Sequence, residues 1–579
     1  MRGFLSYVPA LLIAAFLASG LWAWETRPVL LDEAWDKPLS SVSFAPFRRG
    51  ESPLEKIYPT REEVAEDMAM VATFARGIRT YSAREGMEDV PELAARLGLE
   101  ATLGAWLTSE VEEKGKIVNR VETDALIHTA NAWPDAVKRV IVGNEVLLRN
   151  DLTPEKLIAY IRKVKAQIRQ PVSYADVWAF YLQYPEVGRE VDYLAIHILP
   201  FWEDEPVALE QAGAHIVRIV DRIREAFPGK PILIAETGWP SLGRDRGPAR
   251  VSTVNQARFT RMVGRLAWEH GFDYNIVEAF DQPWKASQEN TVGAAWGIWD
   301  VDRKPKFAMS GPVREIGDWF VRAAVSVVFG LAAGAVAVLS VSGFARRLFL
   351  ALTAQIMAWL AVTACFHAAA VSFDEWRTVW AIFRGVIVLL MSGLIVWRVA
   401  RTTGGRTEAP RPLNGEILWL FVCCYALIWA ALLVFDGRYR DIPVIDFAPA
   451  AIGVVLLMLP ALATAFGGGG SVVSVMAMER MYGRATLLSA DRSRRLQRFL
   501  SRALPIAAVA VLVGEGAAIT GTDFFFLHPA WDERILLILK ATISNVETNA
   551  WALMLAVMAI PAIASTLTAR RAEKQLFGR

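Results

Sequence analysis

Two apolar runs in this chain end in a carboxylate. Val140-Ile-Val-Gly-Asn-Glu145 and Ile232-Leu-Ile-Ala-Glu-Thr-Gly-Trp239 each read as a short buried strand that leaves its sheet at a glutamate. A carboxylate gains nothing from packing at such a place. One strand-end glutamate is explained most simply by a salt-bridged loop, but two of them, 91 residues apart, ask for more. If their strands belong to one sheet closed on itself, both side chains can converge over its axis. Facing carboxylates are the apparatus of glycoside hydrolysis. The aromatic residues agree. Trp106, Trp178, Trp202, Trp239, Trp284, Trp296 and Trp299 all fall at or just past expected strand ends. Sugars present flat C–H faces that stack on such rings. Packing at a sheet rim explains any single Trp, whereas seven on one rim point to carbohydrate.

The elements that must position these residues alternate. Strands are expected at 41–46, 77–81, 101–107, 139–144, 171–174, 193–198, 231–235 and 275–280, with amphipathic helices between them. Thr60 with Glu63 forms a capping-box pattern before one helix. Thr153 followed by Pro154 supplies an N-cap and a first-turn proline for another. Eight strands alternating with helices over some 270 residues match a (β/α)8 barrel, whose chemistry sits at the carboxyl ends of its strands. A doubly wound sheet alternates too. No glycine-rich nucleotide loop follows the first strand, which weighs against that alternative.

The rest of the chain has another character. Of 579 residues, 54% are hydrophobic, and the excess is uneven. Residues 25–318 carry a net charge of −8, while 319–579 carry +9. No patch is rich in both basic and stacking aromatic residues, so nucleic acid is not an expected partner. Cys365, Cys423 and Cys424 all lie in apolar runs, which excludes a disulfide framework. Six scattered His without paired Cys argue against a structural zinc site, and no metal or organic cofactor is expected. Residues 3–24 read as an uncleaved membrane anchor. Further spans are expected near 322–345, 348–372, 378–397, 415–435, 445–466, 503–523 and 548–569, making eight. The clusters Arg346–Arg347, Arg398/Arg401/Arg406/Arg411, Arg480/Arg484/Arg492/Arg494/Arg495/Arg498/Arg502 and Arg570/Arg571/Lys574 then all fall on one side. By the positive-inside rule that side is cytoplasmic, and residues 25–318 are periplasmic. The expected organisation is an anchor (1–24), an α/β barrel domain (25–318) and an all-α seven-span domain (319–579) in the inner membrane, in contact with lipid. Arg384 and Glu515 interrupt the spans. Either Arg384 snorkels and Glu515 marks a boundary, or the two form a buried pair. The tract Gly467–Gly470 reads as a flexible span end, and the charged loop Asp436–Asp441 as solvated or as a sugar or partner contact.

Four segments resemble glycoside hydrolase family 17, the β-1,3-glucanase family of (β/α)8 retaining enzymes. Gly143-Asn144-Glu145 resembles the strand-four motif, whose Glu is the acid/base. Glu236-Thr-Gly-Trp-Pro-Ser241 resembles the strand-seven motif, whose Glu is the nucleophile. Arg79-Thr-Tyr81 resembles the strand-two motif. Phe280-Asp-Gln-Pro-Trp-Lys285 with Trp296-Gly297 resembles the strand-eight region. The resemblance implies Glu145 and Glu236 as catalytic residues, with Asn144, Arg79, Tyr81, His197, Trp202, Trp239, Lys285 and Trp296 binding substrate. It departs at Gln282, where plant members usually carry Glu, and at His197-Ile-Leu-Pro-Phe-Trp202, which replaces a Tyr-rich motif. An anchored barrel with a multi-span tail resembles bacterial membrane proteins linked to β-1,3/1,6-glucan synthesis, so a β-glucan is the expected substrate and a glucan synthase a possible partner. A retaining mechanism requires carboxyl groups about 5–5.5 Å apart. It requires Glu236 ionised, which Arg79 or Lys285 is expected to ensure, and Glu145 protonated at the outset. Asn144 is placed to bond the sugar 2-hydroxyl. Glucan transfer, plain endo-1,3-β-glucanase action and a non-catalytic glucan-binding role beside a synthase or conduit remain open at this point.

Overall fold

The computed structural model describes residues 7–31, 37–405, 415–468, 471–483, 488–521 and 524–577. Arg406, Arg411, Arg484 and Gly469–Gly470 lie outside them, as does the side chain of Lys574. By its internal contacts the chain forms two compact units. One comprises residues 28–315 and 519–545, the other 1–27, 316–518 and 546–579.

The first unit is a closed parallel barrel. Its strands are β1 (Val42–Ser43), β2 (Gly77–Arg79), β3 (Glu100–Ala105), β4 (Val137–Asn144), β5 (Val172–Val177), β6 (Leu194–His197), β7 (Ile232–Thr237) and β8 (Asp273–Ile276). Each pairs with the next, and β8 returns to β1. All eight expected strands are present, with ends shifted by a few residues. The helix Arg61–Val71 opens on the expected capping box: Thr60 accepts from Glu63 N, and the Glu63 carboxylate accepts from Thr60 N at 2.8 Å. Thr153 and Pro154 open the helix Pro154–Lys165. Alternate strand residues of β5, β6 and β7 include the small residues Ala175, Ala195 and Ala235. They form a buried cluster with Ile141, Tyr193 and Leu233, separate from the main core. The Arg79 guanidinium is buried, and its Nη1 donates to Ala235 O at 2.8 Å. Pairing becomes irregular between Ile141 and Asn144, between Ile196 and His197, and between Ile234 and Thr237. All three shifts lie toward the carboxyl ends, where irregular pairing re-aims side chains.

The segment 519–545 belongs with the barrel by its contacts, although it follows the last-but-one long apolar helix in sequence. Leu527 packs against the barrel core, and Asn545 Nδ2 donates to Asp245 O at 3.1 Å.

The second unit is helical. Counting Val8–Glu25 near the N-terminus, eight helices among the described residues are long and apolar enough to cross a membrane. The others are Trp319–Val338, Phe344–Ala370, Glu375–Thr403, Gly415–Asp436, Val444–Phe466, Ala490–Ile519 and Val546–Glu573. Of the two readings of Arg384 and Glu515, the pair is not formed. Arg384 Nη1 donates to Asp446 Oδ2 at 2.9 Å, while Glu515 accepts from Thr548 Oγ1 at 3.0 Å. Asp446 sits in the first turn of its helix, within the expected span 445–466, and the sequence reading did not single it out.

Candidate active site

The backbone sets up β4 first. Gly143 has φ +88°, and a Cβ there would lie 2.8 Å from the Val146 side chain. Only glycine fits that turn. Glu145 follows with φ +53°, a left-handed conformation uncommon for a non-glycine residue. On β7, Gly238 lets the chain pass close to β8, since a Cβ there would lie 2.4 Å from Val277 O. The two turns aim Glu145 and Glu236 at the same space.

A carboxylate oxygen from each of Glu145 and Glu236 and a ring nitrogen of His197 all lie within 4.8 Å of one another. His197 stands between the acids. Its Nδ1 is hydrogen-bonded to Glu145 Oε1 at 2.9 Å, and its Nε2 lies 3.5 Å from Glu236 Oε1. The environments differ. The Glu145 side chain is 26% exposed and that of Glu236 only 10%. Arg79, almost fully buried, donates from Nη1 to Glu236 Oε1 at 2.9 Å and from Nη2 to Asn144 Oδ1 at 2.6 Å. Burial alone would raise the Glu236 pKa. The charges of His197, Arg79 and Lys285 and the Arg79 hydrogen bond outweigh it, so the carboxyl is held below the ordinary glutamate value. Tyr81 lies under the Arg79 guanidinium at 4.7 Å from ring centre to Cζ. Burial, then the charge of Glu236, pushes its hydroxyl well above the usual tyrosine range, which keeps it a proton donor.

Three ligand groups this close could grip a cation. Arg79 already occupies the Glu236 oxygen that such an ion would use, and its fixed charge opposes a second cation there.

The pair opens into a cleft of about 460 Å³ lined by Phe44, Phe47, Leu54, Tyr81, Trp106, Asn144, Trp284, Lys285 and Glu289, among others. Of the seven rim tryptophans, Trp106 and Trp284 line it. Trp202, Trp239 and Trp296 do not. They gather round Phe201 with ring centres 6.2, 5.4 and 6.1 Å away, and Trp239 Nε1 is spent on Arg250 O. Trp178 packs under Arg222, and Trp299 stacks on Phe74. Lys285 lines the cleft, but its ammonium bonds both oxygens of Glu278, at 2.9 and 3.0 Å, rather than Glu236. Gln282 is buried, donating to Ala45 O and accepting from Trp284 Nε1 at 2.8 Å, so it supports the wall that carries Trp284.

Three further acids belong to this region. Asp176, at the end of β5, is pushed up to about 7 by burial and by the charge of Glu145. Glu278, just past β8, is pushed up to about 7 by burial, against the pull of Lys285. Glu289 lines the cleft and is raised by burial and by the charges of Glu145 and Glu236, against the pull of Lys285. Sequence reading passed over all three. Asp176 and Glu278 carry the same signal as the catalytic candidates, an acid where a strand ends. No glycine marks the turn after either one. The apolar wall of Phe44, Phe47 and Leu54, carried on the chain that follows β1, also went unread.

Comparison with known proteins supplies the family. The BtgE/BtgC glycoside hydrolase domain matches residues 41–297. A glucan 1,3-β-glucosidase of Arthroderma benhamiae is 33% identical over 251 residues, covering 40% of this chain and 78% of the relative. A probable family 17 glucosidase of Saccharomyces cerevisiae is 27% identical over 242 residues, or 41% of this chain and 60% of the relative. Among solved structures, a Rhizomucor miehei β-1,3-glucanosyltransferase in complex with laminaritriose aligns over 47% of this chain and 97% of its own, at 25% identity and a TM-score of 0.41. With its eight-stranded parallel barrel and paired strand-end glutamates, this chain belongs to glycoside hydrolase family 17.

Proposed function

We propose that this protein is a membrane-held retaining enzyme that cleaves β-1,3-glucan and passes the released chain to another glucan. The observation that carries the reading is the pair Glu145 and Glu236, with oxygens within 4.8 Å of each other at the floor of an aromatic-walled cleft. That proximity suits retention, in which the two carboxyl groups stand close together on either side of the scissile bond. Glu236, held ionised by Arg79, attacks the anomeric carbon. Glu145 gives its proton to the departing glycosidic oxygen, which leaves as a hydroxyl, and a glycosyl ester on Glu236 remains. Glu145, now a carboxylate, takes a proton from the incoming hydroxyl as that oxygen displaces Glu236. His197 orients Glu145 through Nδ1. Asn144, fixed by Arg79, bonds the 2-hydroxyl of the bound sugar.

Hydrolysis and transfer differ only in the incoming hydroxyl, which belongs to water or to a sugar. Transfer is favoured by architecture. An enzyme held by eight spans stays where glucan emerges, and a second oligosaccharide held on Trp106 and Trp284 reaches the ester at high effective concentration. The purified full-length chain, given a laminari-oligosaccharide, should make products longer than the donor, in a fraction that rises with donor concentration. Only shorter oligosaccharides at every concentration would make it a plain β-1,3-glucanase of the same mechanism.

The membrane part of the reading rests on the eight long apolar helices and the arginines that recur at alternate ends. Reporter fusions at residues 320 and 440 should be active only outside the cytoplasm, and fusions at 405, 490 and 579 only inside. One inverted reporter would mean that a helix does not cross.

A further inference from the structure

The helices Gly415–Asp436 and Ala490–Ile519 meet at both ends. At one end the buried Glu416 accepts from Ser493 Oγ and from Gln497 Nε2, the latter at 2.9 Å. Toward the other end Gly514 approaches so closely that a Cβ there would lie 2.8 Å from Val434 Cα. Residues of both helices line an open groove of about 740 Å³ beside these contacts.

The lining of that groove is graded along its length. From Ala490–Ile519 it takes Arg495, Arg498, Arg502, Ile506, Ala507 and Ala510, among others, a stripe at three- and four-residue spacing that forms one face of the helix. The three guanidiniums occupy the first two turns of the stripe. Beyond Arg502 the groove is apolar for about 12 Å on both helices, closing with Val434 and Phe435. Ile506 and Phe435 are 67% and 88% exposed, so the apolar end stands open to its surroundings. The nearby acids are engaged: Asp491 with Arg494 at 2.6 Å, Glu573 with Arg498 at 3.2 Å, and Glu416 as above. Arg495 and Arg502 make no hydrogen bond or ion pair among the described residues.

We propose that this groove binds an anionic phospholipid of the cytoplasmic leaflet, with its phosphate between Arg495, Arg498 and Arg502 and one acyl chain laid along Ile506, Ala507 and Ala510. The inference rests on the membrane reading above. Guanidinium is the side chain that matches phosphate oxygens in pairs, and basic pockets between spans on the cytoplasmic side select anionic headgroups. A flank of arginines alone would attract such lipids without order. The apolar channel beside these three is what makes a site for a single molecule.

The test uses the full-length chain, purified in detergent, stripped of lipid and offered phosphatidylglycerol or phosphatidylcholine, with bound lipid counted by native mass spectrometry. One phosphatidylglycerol per chain should be retained, at least tenfold more tightly than phosphatidylcholine. The double variant Arg495→Ala/Arg502→Ala should lose that preference. Ala507→Trp, which fills the channel and leaves every arginine in place, should lose the retained lipid as well. Glucan turnover by the barrel checks that each variant is folded. Equal retention of both lipids by the wild type, or full retention by Ala507→Trp, would overturn the proposal and leave the arginines as an ordinary charged flank. A dimer that Ala507→Trp dissociates, without specific lipid, would overturn it in favour of a second copy of the chain in the groove. A reporter at 490 that reads outside the cytoplasm would instead overturn the membrane reading on which the leaflet depends.

Discussion

Glu236→Gln is expected to lower turnover of a laminari-oligosaccharide on the order of 10⁴-fold or more, because the amide cannot form the glycosyl ester and fills the space a substitute would need. Glu145→Ala should behave differently. It loses the proton donor, a defect of about 10²–10⁴-fold that shrinks with a substrate whose leaving group needs no proton. It also opens the more exposed side of the pair, since the Glu145 side chain is 26% exposed against 10% for Glu236. Azide can enter there and attack the ester on Glu236 without a base. Added azide should therefore restore turnover of an activated aryl glucoside by Glu145→Ala and leave a β-glycosyl azide, while Glu236→Gln stays inactive. In the wild type, proton NMR of the first product should show the β-anomer. An α-anomer would mean inversion and would overturn the retaining mechanism. Near wild-type activity in either variant would remove that residue from the mechanism.

How far the sequence revealed this site depended on whether each residue's place follows from its neighbours in the chain. Glu145 and Glu236 were legible because an apolar run ending in an acid beside a glycine is a local pattern. The structure adds the reason for the glycines: Gly143 holds φ +88°, and Gly238 lies against Val277 O. The eight strands were legible for the same reason, as runs whose period is local. The tryptophans were not. Trp239 follows Glu236 by three residues, yet it is buried among Phe201, Phe259 and Arg250, contacts from distant parts of the chain. Trp106 and Trp284, no different in local sequence, reach the cleft. Arg79 or Lys285 was expected to keep Glu236 ionised. Arg79 bonds it directly, whereas the Lys285 ammonium bonds Glu278, an acid just past β8, and acts on Glu236 by its charge alone. In the helical unit, Arg384 shows the same limit. Its partner Asp446 is chosen by how two helices pack, which no spacing within either helix encodes.

Arg79 is the residue on which the chemistry and the fold meet, so its removal should be visible in both. It is 1% exposed and serves three acceptors: Glu236 Oε1, Ala235 O and Asn144 Oδ1. Arg79→Met strands all three in a buried place, and the broken ion pair alone should cost about 3–5 kcal/mol of stability, read as a lower thermal midpoint. Among molecules that remain folded, kcat/KM should fall on the order of 10²–10³-fold, comparable to losing a fixed donor beside the reacting atoms. The pH profile separates this from damage to the fold. Attack requires ionised Glu236, so kcat/KM falls on the acid side as that carboxyl takes up a proton. In the wild type the charges of His197, Arg79 and Lys285 hold it below the ordinary glutamate value against the opposing effect of burial, and the acid limb should lie correspondingly low. Without Arg79, burial is opposed only by the charges of His197, 3.5 Å away, and of Lys285. The pKa then rises, the limb moves to higher pH, and the defect is largest in acid and shrinks toward neutrality. Arg79→Lys keeps the charge but cannot reach three acceptors at once, so it should leave the limb low while turnover falls part of the way. An acid limb that stays in place in Arg79→Met would show that the ionisation of Glu236 is set without Arg79, by its other neighbours His197 and Lys285.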